Sequence, residues 1–218
     1  MSEITTGSAL AHQFDDAQQQ QQAATLGMWV FLCTEVMMFG GLFTGYVVYR
    51  NAYFAGFAAA SHRLDVTLGA INTAVLITSS FTMAMAVHSA QTGKRTALTG
   101  FLLATMLLGG VFLSIKGTEY ASKFHEHLVP GPDFEFDPLL RRQAYVFISF
   151  YFAMTGLHAL HMVVGLGLLG WLVVGTVRKR FTAAYHTPVE IVGLYWHFVD
   201  IVWIFLFPLL YLIERHHR

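Results

Sequence analysis

The sequence predicts an all-α protein, a polytopic membrane helix bundle with five transmembrane helices. Hydrophobic residues make up 55% of the 218 residues, whereas charged residues make up only 12%. The mean hydropathy of +0.53 is far above that of an ordinary soluble domain. Five apolar runs are each long enough to cross a hydrocarbon layer about 30 Å thick, which takes about 20 helical residues.

The five predicted spans are separated by charged residues or by glycine and proline. They run from Ala24 to Tyr49, Val66 to His88, Ala97 to Tyr120, Ala144 to Val177, and Val189 to Ile213. The fourth run is longer than a bilayer requires, so we expect it to tilt or to extend beyond the membrane. Residues 24–218 are predicted to form a single transmembrane domain. Residues 1–23 are polar and glutamine-rich and are predicted to be a mobile tail.

The charge and cysteine content exclude several kinds of function. The formal net charge is zero and the pI is near 7.2, which argues against a nucleic-acid partner. A single cysteine, Cys33, excludes an internal disulfide and a site with several thiolate metal ligands. We therefore expect no metal site in this chain.

Glu35 is an acidic residue near the middle of the first predicted span. It lies about eleven residues into the span, or roughly 16 Å deep. An ionised carboxylate at that depth costs on the order of 3 kcal/mol, so Glu35 is predicted to be protonated or paired. Two interpretations remain open: a hydrogen bond to a neighbouring helix, or a proton-linked or lipid-contacting group.

His158 and His161 lie three residues apart on one face of the fourth span. Imidazoles at this spacing are candidate metal ligands, and either could be an axial haem ligand opposite His197. No further ligand set stands at recognisable spacing. Hydrogen bonding between helices by neutral imidazoles is therefore the favoured interpretation.

His197 and Asp200 lie on adjacent turns of the fifth span, beside Trp196 and Trp203. A pair of this kind removes part of the desolvation cost that either charge alone would incur, so we expect the two side chains to pair with each other. A structural role in packing is favoured over proton transfer. The two tryptophans are too deep for interfacial residues and are predicted to pack against other helices.

Charged residues at the ends of two spans are predicted to face the membrane surface. Lys116 and Glu119, near the end of the third span, are interpreted as interfacial anchors that reach water. Arg178, Lys179 and Arg180 follow the fourth span, where each charge would attract lipid phosphate by about 1 kcal/mol.

Several motifs, taken in order, resemble subunit III of the haem-copper oxidases (cytochrome c oxidase subunit III) in a short, five-span form. The motifs are FLCTEVMMFGGLF, INTAVLITSS, GTEY, TGLHALH and HTPVEIVGLYWHFVDIVWIFLF. The last is the most specific. The resemblance covers nearly all of the chain after Ala24.

The resemblance implies an accessory subunit with no catalytic residue of its own. Haem and copper would lie in partner subunits, and the chain would pack on catalytic subunit I and on subunit II, bind phospholipid, and support proton uptake and stability of the oxidase. The family's carbodiimide-reactive glutamate matches Glu35, and its lipid-phosphate contacts match Arg178 and Arg180. His197 and Asp200 match polar positions of the last span. The two first spans of the seven-span members have no counterpart, so part of their lipid cleft would be missing or supplied by a neighbour.

The expected location is the energy-transducing membrane, here a bacterial plasma membrane, with the N-terminus cytoplasmic and the C-terminus outside. The charge distribution supports this orientation only weakly. The alternatives are an accessory subunit of a quinol oxidase or of a nitric oxide reductase, and a haem-binding redox protein. A proton-coupled transporter using Glu35 and Asp200 is disfavoured, because no inverted repeat is visible.

Overall fold

The computed structural model describes residues 13–183 and 185–213, and this part of the chain is helical with short connections. The helices are α1 Ala17–Ala52, α2 Phe54–Ser61, α3 Val66–Gln91, α4 Arg95–His125, α5 Arg141–Val177 and α6 Thr187–Tyr211. All except α2 are long and apolar enough to cross a membrane. The predicted all-α fold with five membrane-spanning helices is confirmed.

The helices extend beyond the predicted apolar runs at several ends. Helix α1 begins at Ala17, so the last residues of the predicted polar tail form its first turns, while residues 1–12 lie outside the described part. The Asp16 side chain caps this helix by accepting a hydrogen bond from the main-chain N–H of Gln19 at 2.7 Å. Helix α4 likewise continues to His125, beyond the end of its apolar run.

Helix α2 was not predicted, because its segment FAGFAAAS is too short for a span. Small side chains let this helix approach α5 closely: a Cβ at Gly56 would clash with Cβ of Gln143. The Gly56 N–H also donates to the Gln143 side-chain oxygen at 3.0 Å. Helix α2 is thereby held against α5 at the end of the bundle.

The five long helices run alternately in opposite directions, so the bundle has two ends. We call the end with residues 13–16, 92–94 and 178–183 the N-terminal face. The end with residues 53–65 and 126–140 is the opposite face. Helix α6 packs against α1, α3 and α5 and is the central element.

Hydroxyl groups from the first two helices complete the last turns of α6. The final carbonyl groups of a helix have no partner within it. The Tyr46 hydroxyl donates to the Leu209 carbonyl at 2.7 Å, and the Ser61 hydroxyl donates to the Leu210 carbonyl at 2.8 Å. These bonds fix α1 and α2 against the end of α6.

Trp196 of α6 lies in a slot formed by three other helices. A Cβ at Gly109 of α4 or at Gly165 of α5 would lie 2.8 Å from its indole ring. Its Nε1–H donates to the Ser79 hydroxyl of α3 at 3.0 Å. Trp203 is also fully buried and donates to the Thr73 hydroxyl at 3.1 Å. The prediction that both tryptophans pack against other helices is confirmed.

Candidate functional site

Glu35 of α1 and His161 of α5 form a polar pair about midway along their helices. The distance between Glu35 Oε2 and His161 Nε2 is 3.0 Å. The exposed fractions of the Glu35 and His161 side chains are 14% and 13%. The pair therefore lies at the edge of the bundle and is accessible from its surface. Of the two states predicted for Glu35, the structure shows it paired with another helix.

The contact of His161 Nδ1 limits where the hydrogen between Glu35 and His161 can lie. His161 Nδ1 lies 2.8 Å from the Leu157 carbonyl, which can only accept, so Nδ1 carries a hydrogen. The proton between Glu35 and His161 is therefore held either on the carboxyl group or on Nε2. The geometry fits either neutral Glu–OH beside imidazole or carboxylate beside imidazolium.

Aromatic side chains surround the imidazole of His161 and hold it in place. The Phe39 ring centroid is 5.4 Å from that of His161, and the Tyr195 ring stacks at 6.4 Å. The Tyr195 hydroxyl donates to the His161 carbonyl at 3.0 Å. A low-polarity surrounding of this kind strengthens the hydrogen bond between Glu35 and His161.

His158 has different surroundings from His161. It is 1% exposed, and neither of its ring nitrogens has a hydrogen-bond partner among the described residues. Its ring lies 5.5 Å from Phe112 and 5.2 Å from Trp203, measured between centroids. The prediction of hydrogen bonding between helices is therefore wrong for His158, which is enclosed by aromatic rings, while His161 does bond across to α1. Among the described residues, no group of three or more His, Cys, Asp and Glu side chains is placed to hold a metal ion.

Lys116 and Glu119 are buried, so the prediction that they are interfacial anchors is wrong. They form an ion pair at 2.8 Å, with 4% and 3% of their side-chain surfaces exposed. The Tyr211 hydroxyl donates to Glu119 at 2.6 Å and the Tyr151 hydroxyl at 3.0 Å. The Lys116 ammonium also lies 5.1 Å from the Trp203 ring centroid, a cation–π distance. Because α4 continues past the apolar run, α5 and α6 cover this part of it.

His197 and Asp200 do not pair with each other as we expected. His197 Nδ1 instead hydrogen-bonds the Ser80 hydroxyl of α3 at 2.8 Å. Asp200 lies beside the same hydroxyl, but neither carboxyl oxygen has a well-formed hydrogen bond within the described residues. The Ser80 hydroxyl on the facing helix is better placed to bond His197 than Asp200, which lies three positions along the same helix as His197. The interface between α6 and α3 thus contains a row of three polar side chains: His197, Ser80 and Asp200.

Arg178 and Arg180 lie exposed at the N-terminal face, just after the end of α5. Lys179 between them has a φ of 60°, so the chain reverses there in the left-handed region. Nearby, Glu190 accepts from Gln91 at 2.7 Å and lies 3.2 Å from His186. The basic side chains are thus presented outward, while the acid beside them is already paired.

At the opposite face, Lys123 and Glu126 join the end of α4 to the chain before α3. The Lys123 ammonium donates to Glu126 and to the Arg63 carbonyl, both at 2.8 Å. Partial burial would raise the pKa of the Glu126 carboxyl. The hydrogen bonds from Lys123 and Ser122 and the charges of Lys123 and Arg63 outweigh this and lower that pKa below its usual range.

Sequence analysis missed Ser80, Tyr151, Tyr195 and Tyr211. Hydroxyl side chains are common in apolar spans, and nothing in their local sequence marks those that meet a buried acid or imidazole. Their roles depend on which faces of distant helices meet.

Comparison with known proteins finds similarity to one family of membrane proteins over nearly the whole chain. The family model described as cytochrome c oxidase subunit III matches residues 3–129 and 133–214. A probable cytochrome c oxidase subunit 3 of Nocardia farcinica is 33% identical, over 96% of this chain and 97% of that protein. One of Mycobacterium leprae is 35% identical, over 96% and 97%. The quinol oxidase subunit 3 of Bacillus subtilis is 30% identical, over 86% and 85%.

Proposed function

Because the chain belongs to the cytochrome c oxidase subunit III family, we propose that it is a five-span, non-redox subunit III of a terminal oxidase that reduces dioxygen and moves protons. It is an integral membrane protein and an accessory subunit of a haem-copper oxidase. Haem and copper lie in its partners, and the chain packs on subunit I and on subunit II. The observation that carries the proposal is the match to the subunit III family over residues 3–129 and 133–214.

The surroundings of the histidines support this function over that of a haem-binding redox protein. His161 uses both ring nitrogens in hydrogen bonds, and His197 uses Nδ1 in one. His158 is enclosed by Phe112 and Trp203. Haem ligation by His161 would break one of its two hydrogen bonds, and ligation by His158 would require its aromatic enclosure to open.

Purification of the chain from its own membrane in a mild detergent tests the function. We expect it to co-purify with larger subunits that contain haem and copper, and to show no haem absorption once it is separated from them. A Soret band that remains with the separated chain would contradict the accessory role.

We assign the Glu35 and His161 pair a proton-linked role in that complex. The pair holds one exchangeable proton, reaches the bundle surface and connects the most peripheral span, α1, to α5. A group of this kind supports proton uptake by storing a proton close to the neighbouring subunit. It does so without contacting the oxygen-reducing centre.

Glu35→Gln is expected to leave the complex assembled while slowing proton uptake during turnover. The glutamine amide can donate to the neutral His161 Nε2, so the unfolding free energy of the subunit should change by less than about 1 kcal/mol. The amide cannot release a proton. Thermal unfolding, subunit content per haem and the rate of proton uptake are the three measurements.

Glu35→Leu is the comparison variant, because it removes both the proton and the hydrogen bond. It should cost about 1–3 kcal/mol of stability by leaving His161 Nε2 without its partner. Unchanged proton uptake in an assembled Glu35→Gln complex would refute the proton-linked role.

We also propose that Arg178 and Arg180 bind phospholipid headgroups at the N-terminal face. Both are exposed where α5 leaves the membrane, and neighbouring Glu190 is occupied by Gln91. The complex with both arginines changed to serine should retain less phospholipid phosphorus per haem than one with Lys94→Ser, a change at the same face. Equal lipid content would count against this site.

The electron donor and the orientation complete the proposal. Relatives are named both as cytochrome c oxidase and as quinol oxidase subunits, and we assign this chain to a cytochrome c oxidase. Oxidation of reduced cytochrome c, rather than quinol, by the purified complex is the test. We propose that the N-terminus lies in the cytoplasm of a bacterium, and protease access to tags at each end of the chain distinguishes the two orientations.

A further inference from the structure

A groove in the lipid-facing surface between α3 and α6 has an acidic floor. Its volume is about 360 Å³, and Ile77, Phe81, Ile201 and Ile204 form its walls. Ser80, His197 and Asp200 lie along its base. The wall residues are 46–64% exposed, so no other part of the described chain covers the groove.

Asp200 is an unsatisfied polar group in this groove. The residue is only 3% exposed, and neither carboxyl oxygen has a well-formed hydrogen bond within the described residues. The nearby Ser80 hydroxyl has one hydrogen, and its oxygen already lies 2.8 Å from His197 Nδ1. Even if that hydroxyl turned toward Asp200, the second carboxyl oxygen would still have no donor. If Asp200 were protonated, its carbonyl oxygen would still lack a hydrogen-bond donor.

The depth of the groove decides what can supply the missing donor. Ser80 and Asp200 are near the middle of α3 and α6, about 15 Å from either membrane surface. Lipid headgroups do not reach that depth, and acyl chains carry no donor. Water is excluded from a lipid-facing surface in the hydrocarbon region. A side chain on a transmembrane helix can reach it.

We propose that this groove is a docking surface for a transmembrane helix of another subunit, which inserts a hydrogen-bond-donating side chain toward Asp200. The apolar walls contact the partner's aliphatic residues, and the carboxyl group selects a partner with a donor at this depth. The inference rests on the proposed function only in that the chain sits in an oligomeric complex.

Photo-cross-linking in the intact complex tests this surface. A photoreactive amino acid is placed singly at Ile77 or Ile204 in the groove, and at Leu107 as a control on α4, where the side chain is 67% exposed. We expect both groove positions to cross-link to a different subunit, and the control to give a much lower yield of that product. Cross-links to a second copy of this chain, or none to protein, would overturn the proposal.

Asp200→Leu adds a second measurement. It should lower retention of this subunit in the complex on the order of ten-fold, because a buried hydrogen bond to the carboxyl group is lost. The thermal unfolding of the separated subunit should not fall, since Asp200 has no well-formed bond within it. Asp200→Asn, which keeps an acceptor oxygen, should retain more of the subunit than Asp200→Leu.

These results separate the two proposals. If the chain purifies without any haem-containing subunit, the proposed function fails. If the complex forms but the groove positions fail to cross-link to another subunit, or Asp200→Leu leaves retention unchanged, the docking surface alone is wrong.

Discussion

Lys116→Met is expected to destabilise the subunit by about 3–5 kcal/mol, because it leaves the Glu119 carboxylate buried without its counter-ion. The cost arises from burial: the lysine and glutamate are 4% and 3% exposed. Methionine fills much of the same volume but cannot donate to Glu119 or to Tyr211, which the ammonium contacts at 2.8 Å. Thermal unfolding of the purified subunit measures the loss.

The same helix offers a matched control in a second ion pair. Lys123 and Glu126 have the same i,i+3 spacing and the same 2.8 Å distance, but Glu126 is 41% exposed. Glu126→Gln should cost less than about 1 kcal/mol, because the glutamine oxygen can still accept from Lys123, which is 6% exposed and also donates to the Arg63 carbonyl. The double variant Lys116→Met with Glu119→Gln should recover part of the loss, because no buried charge remains. If Lys116→Met and Glu126→Gln had equal effects, burial would not be the cause.

Gly165→Val is expected to cost about 3 kcal/mol or more and to lower the yield of folded subunit. The new side chain would enter the slot of Trp196, whose ring atoms lie 2.8 and 2.9 Å from an ideal Cβ at this position. The indole cannot retreat, because Gly109 borders its other side and Ser79 binds its Nε1–H at 3.0 Å. The unfolding temperature in detergent is the measurement.

Gly167→Val is the control, on the same helix and with the same change in helix propensity. A Cβ at Gly167 meets nothing within 4 Å, so its effect should be limited to that propensity, less than about 1 kcal/mol. Similar losses from both variants would show that α5 tolerates no valine at either position, and that the slot is not responsible.

The spans could be predicted because apolar length is a local property of the sequence. The polar contacts could not, because they depend on which helix faces meet: Glu35 and His161 are 126 residues apart, and Ser80 and His197 are 117 apart. The burial of Lys116 was missed for a related reason. The end of the apolar run was taken as the membrane surface, whereas α4 continues and tyrosines from α5 and α6 cover it.

The central place of α6 has a consequence for how the protein is made. Translation delivers the 25 residues of α6 after the other helices of the bundle, yet α1, α3 and α5 all pack on this helix. Until it emerges from the ribosome, the Trp196 slot is empty, and the hydroxyls of Tyr46 and Ser61 lack the carbonyls that they bind in the finished bundle. The core of the bundle therefore cannot close until α6 has been made and inserted beside the earlier helices.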